Sequence, residues 1–307
     1  MFVPKAHNPL LAAFLTLCAS AFVAGTTLLA KMLGTDTLGP AMNPLQISQG
    51  RFVFAFLAIG LAAVLMRLQF TPIAWGTHTL RVAFGWGGVT LMFAAAAFIP
   101  LSDATAISFL NPVIGMLLAI PLLGERVGPV RLSAAAIALC GAMILLRPTP
   151  DAFQPAALLA FGAAVSLGFE VIVIKRLSGR EGPLQILLIN NVIGVGIASA
   201  AAVWVWITPT PQQWLALIGI GVMMAMAQSC FINAIARADA SFVGPFFYAT
   251  LVFAALYDFA VFDVRPDAVS VIGTLIILCG AGLLVWREGR IRPSAGSPVG
   301  KITTPQD

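Results

Sequence analysis

Four ionisable side chains, Lys31, Arg51, Glu170 and Asp258, stand inside stretches that otherwise read as hydrocarbon, Asp258 within the run FAALYDFAVF. A charge in an apolar medium costs several kcal/mol unless it is paired or wet, so each is a candidate for function. The chemistry open to such groups is narrow: to clamp an opposite charge on a substrate, to pair as a gate, or to carry a proton. The planar fork of Arg51 suits both oxygens of a carboxylate, and the competing use is a tie to nearby carbonyls. Asp258, near the outer end of its helix, is expected to be neutralised by Arg51 or Lys31, bringing three charges together at the outer mouth. Its alternative is to sit in headgroup water. Glu170 shares a helical stripe with Gly162 and Ser166 and is the candidate for proton coupling. A structural tie to Lys175, Arg176 or an arginine of a neighbouring inner loop competes with that role.

Neutral polar groups extend the list. Gln49, Asn111, Asn190, Asn191 and Gln228, with Gln46 and Asn233, lie mid-helix or near it, where an unpartnered amide is unfavourable. With Arg51 they are expected to line a cavity, some of them serving only to join helices. Trp86 and Tyr248, with Met92, Met223, Met224 and Met226, would give that cavity an adaptable apolar wall. Pro112 and Pro245, beside Gly115 and Gly244, interrupt two helices, and paired interruptions in carriers mark a binding site or a gate.

The elements that must position these groups follow from composition. The chain is 60% hydrophobic and 9% charged over 307 residues, with a mean hydropathy of +0.97. A soluble domain carries about 25% charged residues, so this chain cannot cover itself in water. Its apolar windows run to about 20 residues, enough for a helix to cross a bilayer. The reading is an all-α polytopic membrane protein, with crossings near 9–34, 43–66, 80–99, 103–123, 128–146, 155–175, 183–207, 212–236, 240–262 and 267–287. The first is read as an uncleaved span, because its apolar run continues past any signal-cleavage site. With the N-terminus cytoplasmic, all but four of the 17 Lys and Arg residues fall on the inner side; Lys31, Arg147 and Arg265 lie outside and Arg51 within a span. The net charge of +5 is therefore a topology signal and not a nucleic-acid patch. Both termini are expected in the cytoplasm, with residues 293–307 a disordered tail.

Ten crossings divide into five and five. Asp103-Ala104-Thr105 matches Asp239-Ala240-Ser241, and Cys140-Gly141-Ala142 matches Cys279-Gly280-Ala281. Gln46 and Arg51 fall opposite Gln185 and Asn190 at one repeat offset. An odd number of crossings per half inverts the second copy, the arrangement of alternating-access carriers with a site between the halves. Residues 1–150 and 151–292 are read as the two inverted five-helix repeats.

The motifs resemble the drug/metabolite transporter superfamily, in its ten-helix EamA-type bacterial branch. Asn111-Pro112 opens a helix ending Leu122-Leu123-Gly124-Glu125-Arg126; the second half carries Tyr248, Leu251-Val252-Phe253, Val261-Phe262-Asp263, Ile272-Gly273 and Trp286-Arg287-Glu288. Arg51-Phe52 recurs in that family. In the second copy Thr250 replaces the proline, and Phe262-Asp263 stands for the Gly-Glu pair. The resemblance implies a proton-linked or facilitative carrier of small metabolites, often an amino-acid exporter. It also implies that crossings one to four and six to nine surround a central cavity, with five and ten peripheral. Direction is not inherited.

The expected function is export of amino acids and related metabolites across a bacterial-type inner membrane by alternating access. The alternative is an importer of a small amphipathic or nucleoside-like metabolite. A channel or intramembrane enzyme is disfavoured: His7 and His78 are read in terminal or loop positions, and no metalloprotease, C-x-x-C or phosphate-loop motif occurs. No cofactor, metal or obligate protein partner is expected. Expected partners are the substrate, the bilayer and candidate coupling protons. The four cysteines are read as small buried apolar groups, not as disulfide or metal ligands.

Overall fold

A computed structural model describes residues 6–96, 98–99, 101–148, 155, 157–263, 265 and 267–290. The expected tail, 293–307, lies outside them. Twelve helices follow in order: α1 Pro9–Gly34, α2 Pro44–Leu65, α3 Trp75–Ala96, α4 Leu101–Ser108, α5 Asn111–Leu123, α6 Pro129–Leu146, α7 Ala157–Ser178, α8 Pro183–Ala202, α9 Pro211–Ile235, α10 Ala240–Val243, α11 Ala249–Phe262 and α12 Ala268–Arg290. α4 with α5 forms one crossing, and α10 with α11 another, joined by the 3-10 turn Gly244–Tyr248. Ten crossings result. Among the described residues nine helices are long and apolar enough to span a membrane; the remaining crossing, α3, has 22 residues but carries His78 and Arg81. It begins at Trp75, ahead of the expected 80, because the polar residues Thr77, His78 and Thr79 form its first turn instead of a loop.

Local signals set the helix starts. Proline occupies the first turn of α1, α2, α6, α8 and α9, where its missing N–H is no loss. Asn8 and Asn43 cap α1 and α2, and Thr210 with Gln213 forms a capping box on α9. Gly124 ends α5 with φ 70°, the left-handed conformation that glycine adopts without steric penalty.

Contacts between helix ends fix the up-down course. The amino-terminal face is the one where α1 begins; the distal face lies opposite. Asn8 meets Arg237 and Glu125 meets Ala240 on the first, while Lys31 meets Asp258 on the second. α7 therefore starts on the distal face, opposite to α1, and the two halves are inverted. Packing closes a ring in the order α1, α9, α2, α8, α3, α7, α4/α5, α10/α11 and back to α1, with α6 and α12 paired outside it. The α6–α12 pair is close enough that a Cβ at Gly141 would stand 2.7 Å from the Gly273 carbonyl, and one at Gly280 2.8 Å from that of Ala134. Small residues replace hydrophobic bulk at such interfaces, because lipid offers helices no hydrophobic reason to associate. Each ring contact has a partner under the inverted repeat, with one inequality: α2 packs densely along α9, whereas α8 packs far more sparsely against α3.

Candidate functional site

The two interrupted crossings abut. Pro112 has no N–H for the carbonyl of Ser108, and the Asn111 side-chain amide donates to it at 2.9 Å. The Phe109 carbonyl accepts from the Tyr248 hydroxyl at 2.8 Å, and Gly244 lies against Pro112, where a Cβ would stand 3.1 Å from its carbonyl oxygen. The first interruption is thus satisfied partly from its own helix and partly from the second. Asn111 and the fully buried Tyr248 hold this junction.

Between the halves a polar centre forms on one stripe of α3. His78, Arg81, Gly85 and Gly88 follow at helical spacing. Gly88 admits Leu167, and a Cβ at Gly85 would stand 3.0 Å from the Glu170 carboxylate. Arg81, 3% exposed, places Nε 3.8 Å from Glu170 and donates through Nη1 to the Ile186 carbonyl at 3.3 Å. Arg51, on α2, has its guanidinium 4.3 Å from the Phe52 ring centroid. The carboxylate from α7 is thus paired with Arg81 on α3 and lies within the electrostatic range of Arg51. Asn191 donates to the Leu187 carbonyl and, at 3.2 Å, to Gln228, joining α8 to α9, while its own Oδ1 is buried without a partner. Gln49 and Asn190 are half-buried near these groups in sequence.

Several expectations are corrected here. Arg51 does not join Lys31 and Asp258: those two pair at 2.8 Å on the distal face, both side chains substantially exposed, with Lys31 also 4.5 Å from the Phe262 ring centroid. Glu170 is tied to Arg81, from the helix it packs against; Lys175 donates to the carbonyls of Ile235 and Ala238, and Arg176 to that of Leu122. Ser166 donates to the Phe84 carbonyl, so the Gly162–Ser166–Glu170 stripe seats α7 on α3. Trp86 is exposed. Cys140 and Cys279 are exposed, and Cys18 and Cys230 only half-buried, because an apolar helix hides these thiols in lipid and not in a protein core. In the second half Asp263 ends α11 at φ 53°, so it takes the place of Gly124 and not that of Glu125. Glu125 itself accepts from the N–H groups of Ala240 and Ser241, capping the start of the ninth crossing.

Gln46 and Gln185 are the least expected. Both are fully buried, and each makes a two-bond clasp with a backbone. On the distal face Gln46 donates to the Ile207 carbonyl at 2.6 Å and accepts from its N–H at 3.1 Å. On the amino-terminal face Gln185 accepts from the Thr71 N–H at 2.8 Å and donates to its carbonyl at 3.2 Å. The repeat relation is thus visible atom by atom. Arg81, His78 and Glu181 were not singled out from the sequence; the signal for the first two was spacing, since 78, 81 and 85 share one face of α3, and Glu181, in the turn before α8, had none.

The fold, with its paired clasps and polar centre, is that of a multi-pass membrane protein. A family model described as the EamA-like transporter family matches residues 10–147 and again 154–286. The chain belongs to that family, and the model matches each half once. A riboflavin transporter of Rhizobium johnstonii is 34% identical over 246 residues, 78% of this chain and 79% of the relative. One of Vibrio cholerae is 29% identical over 71% and 74%. An S-adenosylmethionine uptake transporter of Rickettsia prowazekii is 25% identical over 69% and 72%. A solved crystal structure matches 91% of this chain and 98% of its own with a TM-score of 0.76 at 19% identity, which shows the shared fold.

Proposed function

We propose that this protein imports a small amphipathic, nucleoside-like metabolite across a bacterial-type inner membrane, with the amino-terminal face in the cytoplasm. The observation that carries the reading is the charge count of the polar centre. Glu170 pairs with Arg81 and lies within the electrostatic range of Arg51, two guanidinium groups to one carboxylate, which leaves donor capacity for a ligand rich in acceptors: a carboxylate, a phosphate, or the carbonyls and ring nitrogens of a heterocycle. The Asn191 amide meets Gln228 across α8 and α9, and the Phe52 ring beside Arg51 suits a flat ring. The names of the relatives, one of them an uptake transporter, favour this reading over amino-acid export. Glu170 serves best as the counter-charge of the two guanidinium groups, since its neutralisation would leave both uncompensated. The orientation rests on the excess of Lys and Arg in the connections of the amino-terminal face.

The test is counterflow in proteoliposomes with labelled riboflavin, S-adenosylmethionine and a panel of amino acids. Saturable counterflow of a nucleoside-like compound is expected, falling about tenfold or more in Arg51→Lys, which keeps the charge and loses the fork. Counterflow confined to amino acids, or conductance without counterflow, would overturn the reading.

A further inference from the structure

At the amino-terminal face a groove runs between α1 and α9 on the outside of the ring. It holds about 340 Å³ between Leu11 and Leu15 of α1 and Ser229, Cys230 and Asn233 of α9, with Arg237 at its head. The side on which it lies follows from α9. Phe231 meets Phe247 of the interrupted crossing beyond α1, with ring centroids 5.4 Å apart, and so points into the ring. Ser229 and Asn233, two residues to either side, stand on the opposite face of the helix. Val222 and Met226 continue that face and are exposed, as are Leu10 and Phe14 on α1. The groove therefore opens to lipid and not to the polar centre between the halves.

Arg237 stands just past the crossing Pro211–Ile235, where a long cationic side chain ordinarily extends outward to water. Here it folds back along the helix: Nη1 donates to the Asn233 carbonyl at 2.7 Å and to Asn233 Oδ1 at 2.8 Å. These bonds occupy one nitrogen, and Nε–H and both Nη2 hydrogens have no acceptor among the described residues. That edge of the guanidinium is the planar fork that grips two oxygens of a phosphate. Among the described residues no carboxylate pairs with it. Glu125 caps Ala240 and Ser241, Asp239 takes Arg131, and Glu181 takes His78, Ala74 and Gln185. The Asn8 N–H donates to the Arg237 carbonyl at 2.9 Å, so α1 begins beside it and adds the positive end of its dipole. A cation at headgroup depth over an apolar groove is complementary to an anion carried on a hydrocarbon chain.

We propose that this groove binds one anionic phospholipid, its phosphate on the Arg237 fork and an acyl chain along Leu11, Leu15 and Cys230. The lipid bridges α1 of one half and α9 of the other, and so touches both members of the inverted repeat. The site belongs to one face only. At the offset that relates Asp103 to Asp239, Ala97 and Leu101 stand for Asn233 and Arg237, and neither carries a charge. The inference goes beyond the import reading and is independent of the transported substrate.

Native mass spectrometry of the full chain in detergent tests this, with dioleoyl phosphatidylglycerol, dioleoyl phosphatidylcholine or glycerol phosphate added. One phosphatidylglycerol per chain is expected, held about tenfold more tightly than phosphatidylcholine, which has the same chains and no net charge. Glycerol phosphate, the anion without chains, is expected not to displace it. Arg237→Gln should lower the affinity for phosphatidylglycerol about tenfold, and Arg180→Gln, at an exposed arginine of the same face, should leave it unchanged. Cys230→Phe keeps the fork and fills the groove, and should weaken the binding of both lipids. Equal retention of the two lipids by the wild type, or displacement by glycerol phosphate, would overturn the site. So would undiminished binding in Arg237→Gln or Cys230→Phe, or an equal loss in Arg180→Gln. The first two outcomes are read on the wild-type chain, so the test stands even if a variant fails to fold. Counterflow measured alongside separates the two readings: counterflow without lipid preference removes the lipid site alone, and lipid preference without counterflow removes the carrier alone.

Discussion

The two ends of the α2–α8 pair are built to one plan and filled with different chemistry. At each end a buried glutamine closes a two-bond clasp on the backbone of the opposite half, Gln46 on Ile207 and Gln185 on Thr71. Around the distal clasp every partner is neutral: Thr210 donates to the Leu38 carbonyl, and Gln213 to that of Pro40. Gly39, at φ 126°, lets that connection turn against Thr210. Around the amino-terminal clasp the partners are ionisable residue types, Glu181 and His78, with Arg81 on the next turn. The comparison separates what an inverted repeat needs at both ends, which is backbone satisfaction, from what only one end has acquired, which is charge.

Several measurements would break or sharpen this contrast. The largest effect is expected from Gly85→Ala, whose methyl would press on the Glu170 carboxylate and part it from Arg81. Counterflow should fall about tenfold or more while folding, read by size-exclusion profile, is retained. If transport is unchanged, the stripe on α3 is packing and nothing else.

Next come the clasps themselves. Gln185→Ala leaves Glu181 short of one donor and the Thr71 backbone unpaired, and should lower stability by about 2–3 kcal/mol. Gln46→Ala strips only the Ile207 backbone and should cost about 1–2 kcal/mol. Thermal melts in detergent at one pH check the order, and equal losses would dissolve the distinction between the two ends.

Glu125→Ala follows, since it removes one side chain that caps two N–H groups at the start of α10. A loss of about 1–2 kcal/mol is expected, by the same melts. The second half has no matching carboxylate, because Asp263 fills the place of Gly124, so Asp263→Gly should be neutral or slightly stabilising.

The smallest effect belongs to the exposed distal pair Arg147–Asp267. Hydrogen bonds from Arg147 and Ser270 lower the Asp267 pKa to about 2. A carboxylate with a lowered folded pKa stabilises above its unfolded value and loses that contribution as pH falls through the folded one. Asp267→Asn should thus match the wild type at pH 2 and differ barely at neutral pH, the group being fully exposed. A larger gap at neutral pH would mean that an exposed distal pair contributes more than its solvent screening allows.

Much of the architecture could be read from the chain. The apolar windows, the Lys and Arg bias and the Cys-Gly-Ala match yielded ten crossings in two halves, and the prolines located both interruptions. Arg51 and Glu170 stood out because an ionisable group in hydrocarbon is conspicuous. Their partners did not: Arg81 and His78 lie near a helix end, where polar residues look like connection, and the third helix consequently seemed to begin late. Asp258 pairs with Lys31, one of the two partners expected for it, yet nothing in a one-dimensional string could separate Arg51 from that pair.

The amino-acid sequence by itself determined that the chain enters a bilayer, how many times it crosses and that its halves are inverted, because these follow from transfer free energy and charge placement summed along the chain. Only the tertiary structure decided which polar groups meet. Gln46 and Gln185 became clasps, Tyr248 and Asn111 became caps for freed carbonyls, and His78 and Glu181 became a sealed pair. The reason is distance: hydrogen bonds and ion pairs act over a few ångströms, most of these join residues far apart in the chain, and only the packed ring brings those within reach.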